Sequence, residues 1–542
     1  MMNSSGDKRE RADGDGEGVG AAGSDHDQPQ QKKARSVSTF ESYLAGLDDE
    51  GDLKRPAVPA LDPKVDSLIF QQVEVDHYIE KSEEGKGPVP VIRMFGVTKD
   101  GNSVCCHVLG FLPYIFIKTP KSLTKENIEL FKNAMNKALL DDLNNNPFGV
   151  VEAVVKCEFV ERIEGNQASS FIKITLAIPD LTSAAEKLLR KRKINIPELE
   201  NVGSLKALEF NVEFVVRFMA DTKLVGCSWV ELPAGRWERR AGESLTSRSQ
   251  LEVEVEVEVE EAGDCLISHQ AEGDWAEVAP LRILSLDIEC SGRKDKFPDP
   301  DFDPVIQIAN LVVRYGEQQP FIRTVFTLDS CEEIPGSSII SCSQESDLLA
   351  QWASFFRDCD PDIITGYNIN NFDLYYLIKR AEKLNVPDFS FLSRITNTPS
   401  EVKEVVAGSP RIFTNLMYTK EVNKSINMEG RVIFDMILVE MQDLKLGFPR
   451  SLEKASQELL KEGKEKVHFS EISSLQAGDS QTRRRIALYC LKDAHLALAL
   501  CNKLDSLRKH LELARTGGLP LSFTSFLKPG GHQIRIVSEK LR

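Results

Sequence analysis

The chain has 542 residues, 41% of them apolar, a formal charge of −16 and eleven cysteines. Its length predicts about three or four domains with ordinary cores, and no apolar run approaches the roughly 20 residues of a membrane helix. The start lacks an apolar leader and no Cys-x-x-Cys occurs, which argues against secretion, membrane partners, and zinc or iron–sulfur sites, and for reduced thiols inside a cell. The acidity leaves nucleic acid open as a partner, because part of it sits in the N-terminal stretch and in one Glu/Val run.

Residues 1–62 are rich in Gly, Asp, Ser, Gln and Lys without a sustained hydrophobic period, so a disordered tail is expected. Its Lys32-Lys33-Ala34-Arg35 cluster is a candidate nuclear address. Alternation predicts strands over 66–75, 89–95 and 104–108, with further strands over 150–160 and 171–177. Helical spacing over 127–143 and 181–192 completes an α+β region running to about residue 235. The run from Leu251 to Glu261 has strict period two, one face Val and the other mutually repelling Glu, and it reads as a strand without chemistry of its own. From 281 to about 500, buried strands over 281–290, 305–313, 362–367 and 431–436 alternate with helices over 344–356, 373–384 and 481–507. A mixed α/β unit with a central sheet follows.

Three short motifs lie on that unit. In a strand, alternate residues share a face, so Asp287 and Glu289 project together while Leu284, Leu286 and Ile288 pack behind them. Two carboxylates so close require a cation, and hard oxygen donors select magnesium or manganese. Asp362-Ile-Ile-Thr-Gly-Tyr-Asn368 followed by Phe372-Asp373 reads as strand, glycine turn and helix start, where an acidic side chain is favoured. Tyr489 and Asp493, spaced i, i+4, share a helix face that Leu496 and Leu500 continue into the core, and a buried acid there calls for a partner or a metal.

Taken together and in this order, the three motifs resemble the DEDD exonucleases of the ribonuclease-H-like fold, in their tyrosine branch. The resemblance implies two Mg2+ or Mn2+ ions held by Asp287, Glu289, Asp373 and Asp493, one lowering the pKa of the attacking water and one stabilising the leaving 3'-oxygen, with Tyr489 orienting the water. Asn368 and Phe372 become candidates for contacts with the DNA end. Flanking words narrow the resemblance: Ser67-Leu-Ile-Phe-Gln-Gln72, Val104-Cys-Cys-His107, Leu266-Ile-Ser-His269, Asp303-Pro-Val-Ile-Gln-Ile-Ala-Asn310 and Thr482-Arg-Arg-Arg485 are similar to the catalytic subunits of eukaryotic DNA polymerase delta, within family B.

That family implies an N-terminal domain with an OB-like element over 63–280 and a proofreading 3'-5' exonuclease domain over 281–505. It further implies the start of a connection to a polymerase domain over 506–542, and a hairpin within 405–431 that parts primer end from template. Nuclear residence is expected, with single-stranded or frayed 3'-ended DNA and other replication subunits as partners. Two departures stand out. Tyr375 replaces a proline usual in the family, and no Asp-x-x-Ser-Leu-Tyr-Pro-Ser or Tyr-Gly-Asp-Thr-Asp motif occurs, so DNA synthesis is not expected. Two alternatives stay open from sequence: a DNA-binding piece without turnover, and an RNA-processing exonuclease of the same chemistry.

Overall fold

Six strands form the sheet that carries the acidic motifs. Across it they run Ser338–Cys342, Ile322–Leu328, Val305–Arg314, Arg282–Cys290, Ile363–Gly366, Val432–Asp435. Arg282–Cys290 is central, antiparallel to Val305–Arg314 and parallel to Ile363–Gly366. One face of this strand is apolar, with Leu284, Leu286 and Ile288, and the other carries Ile283, Ser285, Asp287 and Glu289. Leu284, Leu286 and Ile288 enter one core with Trp352 and Phe356 of helix Glu345–Cys359 and Leu377 of helix Asp373–Leu384. On the other face Ile283 packs with Leu496 and Leu500 of helix Ser480–Lys503, and Ser285 Oγ donates to the Ala494 carbonyl at 2.8 Å. Asp479 starts that helix, its carboxylate accepting the Thr482 N–H at 2.9 Å, which satisfies one orphan donor of the first turn.

The computed structural model describes residues 39–81, 87–143, 146–164, 167–191, 204–258, 262–293, 296–404, 424–443, 451–465 and 467–524. The basic cluster 32–35 therefore lies outside the described residues, as does 405–423 of the expected hairpin; its flanks Val402–Glu404 and Lys424–Ile426 pair antiparallel. A seven-stranded sheet is built on Leu68–Lys81, Pro88–Val97 and Ser103–Leu109, and a four-stranded sheet on Val154–Glu164, Gln167–Leu176, Tyr114–Lys118 and Ala207–Leu208. Helices Ile128–Asp142 and Leu181–Arg190 share an apolar core with the smaller sheet.

The Glu/Val run is strand Leu251–Glu256, parallel to Ser103–Leu109. Val253, Val255 and Val257 fill the core. Glu252, on the expected repelling face, is buried and accepts the N–H groups of Thr246 (3.0 Å) and Ser247 (2.8 Å) and shares a 2.9 Å hydrogen bond with His107 Nε2. Cys105, His107 and Glu252 bring donor atoms within 4.8 Å of one another. Their polar atoms are nevertheless already spent on one another, on the 246–247 turn and on the Tyr78 hydroxyl, 3.1 Å from His107 Nδ1, so the cluster is a closed hydrogen-bond network.

One expectation is corrected. Residues 39–62 are structured: helix Thr39–Ala45 buries Phe40 and Leu44, and Arg55 is buried against Asp360 and Asp362. Their docking surfaces come from residues hundreds of positions later, which no local hydrophobic period reveals.

At the other end, the C-terminal part packs on the seven-stranded sheet's connections so closely that a Cβ on Gly226 would lie 1.8 Å from the Leu519 carbonyl oxygen. Gly226→Ala is therefore expected to destabilise the protein by about 1–3 kcal/mol through forced backbone displacement, read as a lowered unfolding midpoint. An unchanged midpoint would mean that residues 519–524 are not seated there. No helix among the described residues is long and apolar enough to cross a membrane.

Candidate active site

The strand Arg282–Cys290 aims Asp287 and Glu289 at the flank of helix Ser480–Lys503, whose Tyr489 and Asp493 lie one turn apart. Cys490 Sγ donates to the Asp287 carbonyl at 3.2 Å, fixing helix against strand. Carboxylate oxygens of Asp287, Glu289 and Asp493 lie within 4.8 Å of one another. Asp373 comes from the start of its helix and is held by the Ile288 N–H, which donates to Oδ1 at 3.0 Å from between the two strand acids. The fold thus brings together all five residues that the motifs single out.

Burial raises the Asp287 carboxyl far above its ordinary range, and the charges of Asp493, Asp373 and Glu289 raise it further while Lys464 opposes them. Burial and Asp493 push Glu289 to about 8. Burial carries Asp373 to about 7 against its backbone hydrogen bonds, and Asp493 to about 6 against the Lys464 charge. Such a cluster is unfavourable as four anions and is relieved by protons or by cations. Asp287 Oδ2 and Asp493 Oδ1 are buried without a hydrogen-bond partner, so two hard oxygen donors of the cluster are left unsatisfied. That donor set fits a divalent cation of the magnesium or manganese kind.

Sequence reasoning missed two residues. Lys464 places its ammonium on Asp493 Oδ2 and 3.4 Å from the Tyr489 hydroxyl. It stands in a charged run, Lys461-Glu-Gly-Lys-Glu, that reads as a solvated loop. Asp435, at the end of the edge strand, accepts the N–H of Asn368 at 2.8 Å and of Asn370 at 3.1 Å. It thereby shapes the turn before Asp373, in which Asn368 is left-handed at φ 68°. The Asn368 side-chain oxygen accepts from Asn371 Nδ2 at 3.1 Å. The Phe372 ring lies 5.4 Å from that of Phe297, which is 78% exposed, so an aromatic ledge adjoins Asp373. Tyr375 is covered by Lys424, whose ammonium sits 3.1 Å from the ring centroid.

A carboxylate cluster thus lies between the central strand and a long helix of the α/β sheet, with a tyrosine one turn from its last acid. Residues 205–454 match the family described as DNA polymerase family B, exonuclease domain. Over 501 residues the chain is 44% identical to a DNA polymerase delta catalytic subunit of Drosophila melanogaster, covering 90% of this chain and 44% of that one. It is 42% identical over 500 residues to the subunit of Bos taurus, and 39% identical over 521 residues to that of Schizosaccharomyces pombe, covering 93% of this chain and 45% of that one. The chain thus spans under half the length of these relatives. The family B DNA polymerase from the hyperthermophilic archaeon Pyrobaculum calidifontis superposes with a TM-score of 0.58 at 21% identity, covering 85% of this chain and 48% of that one, a likeness of fold. Residues 205–454 are thus similar to the exonuclease domain of family B DNA polymerases, and the relatives that match most of the chain are delta catalytic subunits.

Proposed function

We propose that this chain removes nucleotides one at a time from single-stranded or frayed 3' ends of DNA, releasing nucleoside monophosphates as a proofreading module in the nucleus beside other replication subunits. The observation that carries this reading is the pair of unsatisfied buried oxygens on Asp287 and Asp493 within an acidic cluster. Two magnesium or manganese ions held by Asp287, Glu289, Asp373 and Asp493 would supply the Lewis acidity that activates water and neutralises the leaving 3'-oxygen.

The chain's own side chains do the rest. The Tyr489 hydroxyl would hydrogen-bond the attacking water and so fix its approach to the phosphorus. The Lys464 ammonium, paired with Asp493 and 3.4 Å from the Tyr489 hydroxyl, partly offsets the negative charge of the acidic cluster. Phe372 and Phe297 offer a stacking surface for the terminal bases, which accepts any sequence because every base has a π face.

A 5'-labelled single strand incubated with the protein and magnesium should shorten into a ladder from its 3' end. Tyr489→Phe is expected to lower kcat by about 100-fold with KM little changed, since the hydroxyl acts on the water and not on strand binding. An undegraded strand in the presence of folded protein would refute the activity. Faster digestion of a matched RNA would move the substrate from DNA to RNA.

A further inference from the structure

We propose that residues 40–55 are a positioning strap for the exonuclease centre, an inference that rests on the reading of that centre given above. Helix Thr39–Ala45 packs beside the turn of helix Ser480–Lys503 that carries Tyr489 and Asp493: Phe40 and Leu44 are buried with Leu488, Leu491 and Ala494. The rings of Phe40 and Tyr43 stand 5.1 and 5.2 Å from His495, two residues beyond Asp493. Lys492, the residue before Asp493, lies with its ammonium 4.6 Å over the Phe40 ring and pairs with Glu462. Glu462 is two residues before Lys464, which pairs with Asp493. One aromatic side chain thus bears on two pieces of the site, the helix turn of Tyr489 and Asp493 directly and the lysine loop through Lys492 and Glu462.

The strap cannot slide. Glu41 pairs with Arg484, and Gly336, at φ +75°, comes so near that a Cβ there would lie 1.9 Å from the Leu44 carbonyl oxygen. Farther along, Arg323 donates to the Asp48 carbonyl at 2.6 Å and Gly51 N–H to the Phe321 carbonyl at 2.8 Å, before Arg55 locks onto Asp360 at 2.7 Å. A segment anchored this densely at both ends sets the rotation of the helix about its axis. By helical spacing Tyr489 and Asp493 lie on the side of the helix roughly opposite Leu488, Leu491 and His495, so a small rotation set from that packed face displaces both at once, and displacements of about 1 Å cost orders of magnitude in rate.

The test compares the full chain with Phe40→Ala/Tyr43→Ala, with Phe40→Leu as the conservative variant, and with Glu462→Gln, which cuts the link from Lys492 to the lysine loop at a half-exposed side chain. The aromatic double variant should lose about tenfold or more in kcat on a 5'-labelled single strand with KM within about twofold, and Phe40→Leu should recover most of it. Mn2+ affinity read by electron paramagnetic resonance should fall about tenfold, and amide exchange over 487–495 should quicken. Glu462→Gln should give a smaller loss of kcat and of Mn2+ affinity at an unchanged unfolding midpoint. If the double variant does not fold, Glu462→Gln decides; wild-type kcat and Mn2+ affinity in folded variants overturn the strap. A wild-type chain that binds Mn2+ but digests no strand removes the exonuclease reading, while Mn2+ binding and amide exchange still judge the strap.

Discussion

Asp287→Ala combined with Glu289→Ala is expected to lower 3'-end digestion by more than about 1,000-fold while making the cation-free protein more stable at neutral pH. Both effects have one origin. Burial, with neighbouring carboxylates adding to it, pushes Glu289 to about 8, Asp373 to about 7 and Asp493 to about 6, so without cations the folded state holds protons that the unfolded chain has released. For acids raised above their ordinary values, the penalty is absent below about pH 4, grows as pH rises through the folded values, and is complete above about pH 8. With chelator, the wild-type midpoint should therefore drop between pH 5 and 8, and magnesium should restore it at pH 8, more strongly than at pH 5 because protons no longer compete. The double variant should have a flatter pH profile in chelator and little response to magnesium. A wild-type midpoint that rises from pH 5 to 8 in chelator, or that ignores magnesium at pH 8, would contradict the assignment of these acids to cation binding. Function here is held at a cost in stability, as is common where like charges converge.

Much of this site is legible in the sequence because its geometry follows from local periodicity. Period two places Asp287 and Glu289 on one face of a strand, and 3.6 residues per turn aligns Tyr489 with Asp493; neither depends on the rest of the chain. Asp373 is legible for a similar reason, as an acid at a helix start after a glycine turn. What is not legible is contributed across long sequence separations. Lys464 looks like any lysine of a solvated loop until Asp493 is folded against it. Phe40, Tyr43, Leu44 and Leu47 keep helical spacing over only two turns at the end of a long polar stretch, and their burial depends on Leu488 and Leu491 far along the chain. The Glu/Val run shows the converse limit: its period gave the strand, but only Thr246, Ser247 and His107 turn Glu252 from a repelling surface charge into a buried acceptor.

Asp360→Asn is expected to destabilise the protein by about 3–5 kcal/mol, the cost of leaving buried guanidinium groups without their counter-charge. Asp360 ends helix Glu345–Cys359 in a left-handed conformation, φ 48°, which an asparagine tolerates, so the substitution isolates charge from backbone strain. Its carboxylate accepts from Arg55 Nε at 2.7 Å, Arg431 Nη1 at 2.8 Å and Arg394 Nε at 2.9 Å. Asp362 accepts from Arg55 at 2.8 Å and Arg394 at 2.6 Å. Three guanidinium groups thus share two carboxylates, and the hub ties the end of the strap, the 394 loop and the edge strand to the central sheet. Burial alone would raise the Asp360 carboxyl, but Arg394, Arg55 and Arg431 hold it well below the usual carboxylate range. A depressed value means that this stability is present above about pH 4 and is lost as pH falls further. Urea unfolding should therefore separate wild type from Asp360→Asn widely at pH 7 and much less near pH 3. Arg394→Met added to Asp360→Asn should recover part of the loss, because it removes one stranded charge while keeping apolar volume. If the single variant unfolds like the wild type at pH 7, the three arginines are compensated elsewhere and Asp360 does not hold the strap to the sheet.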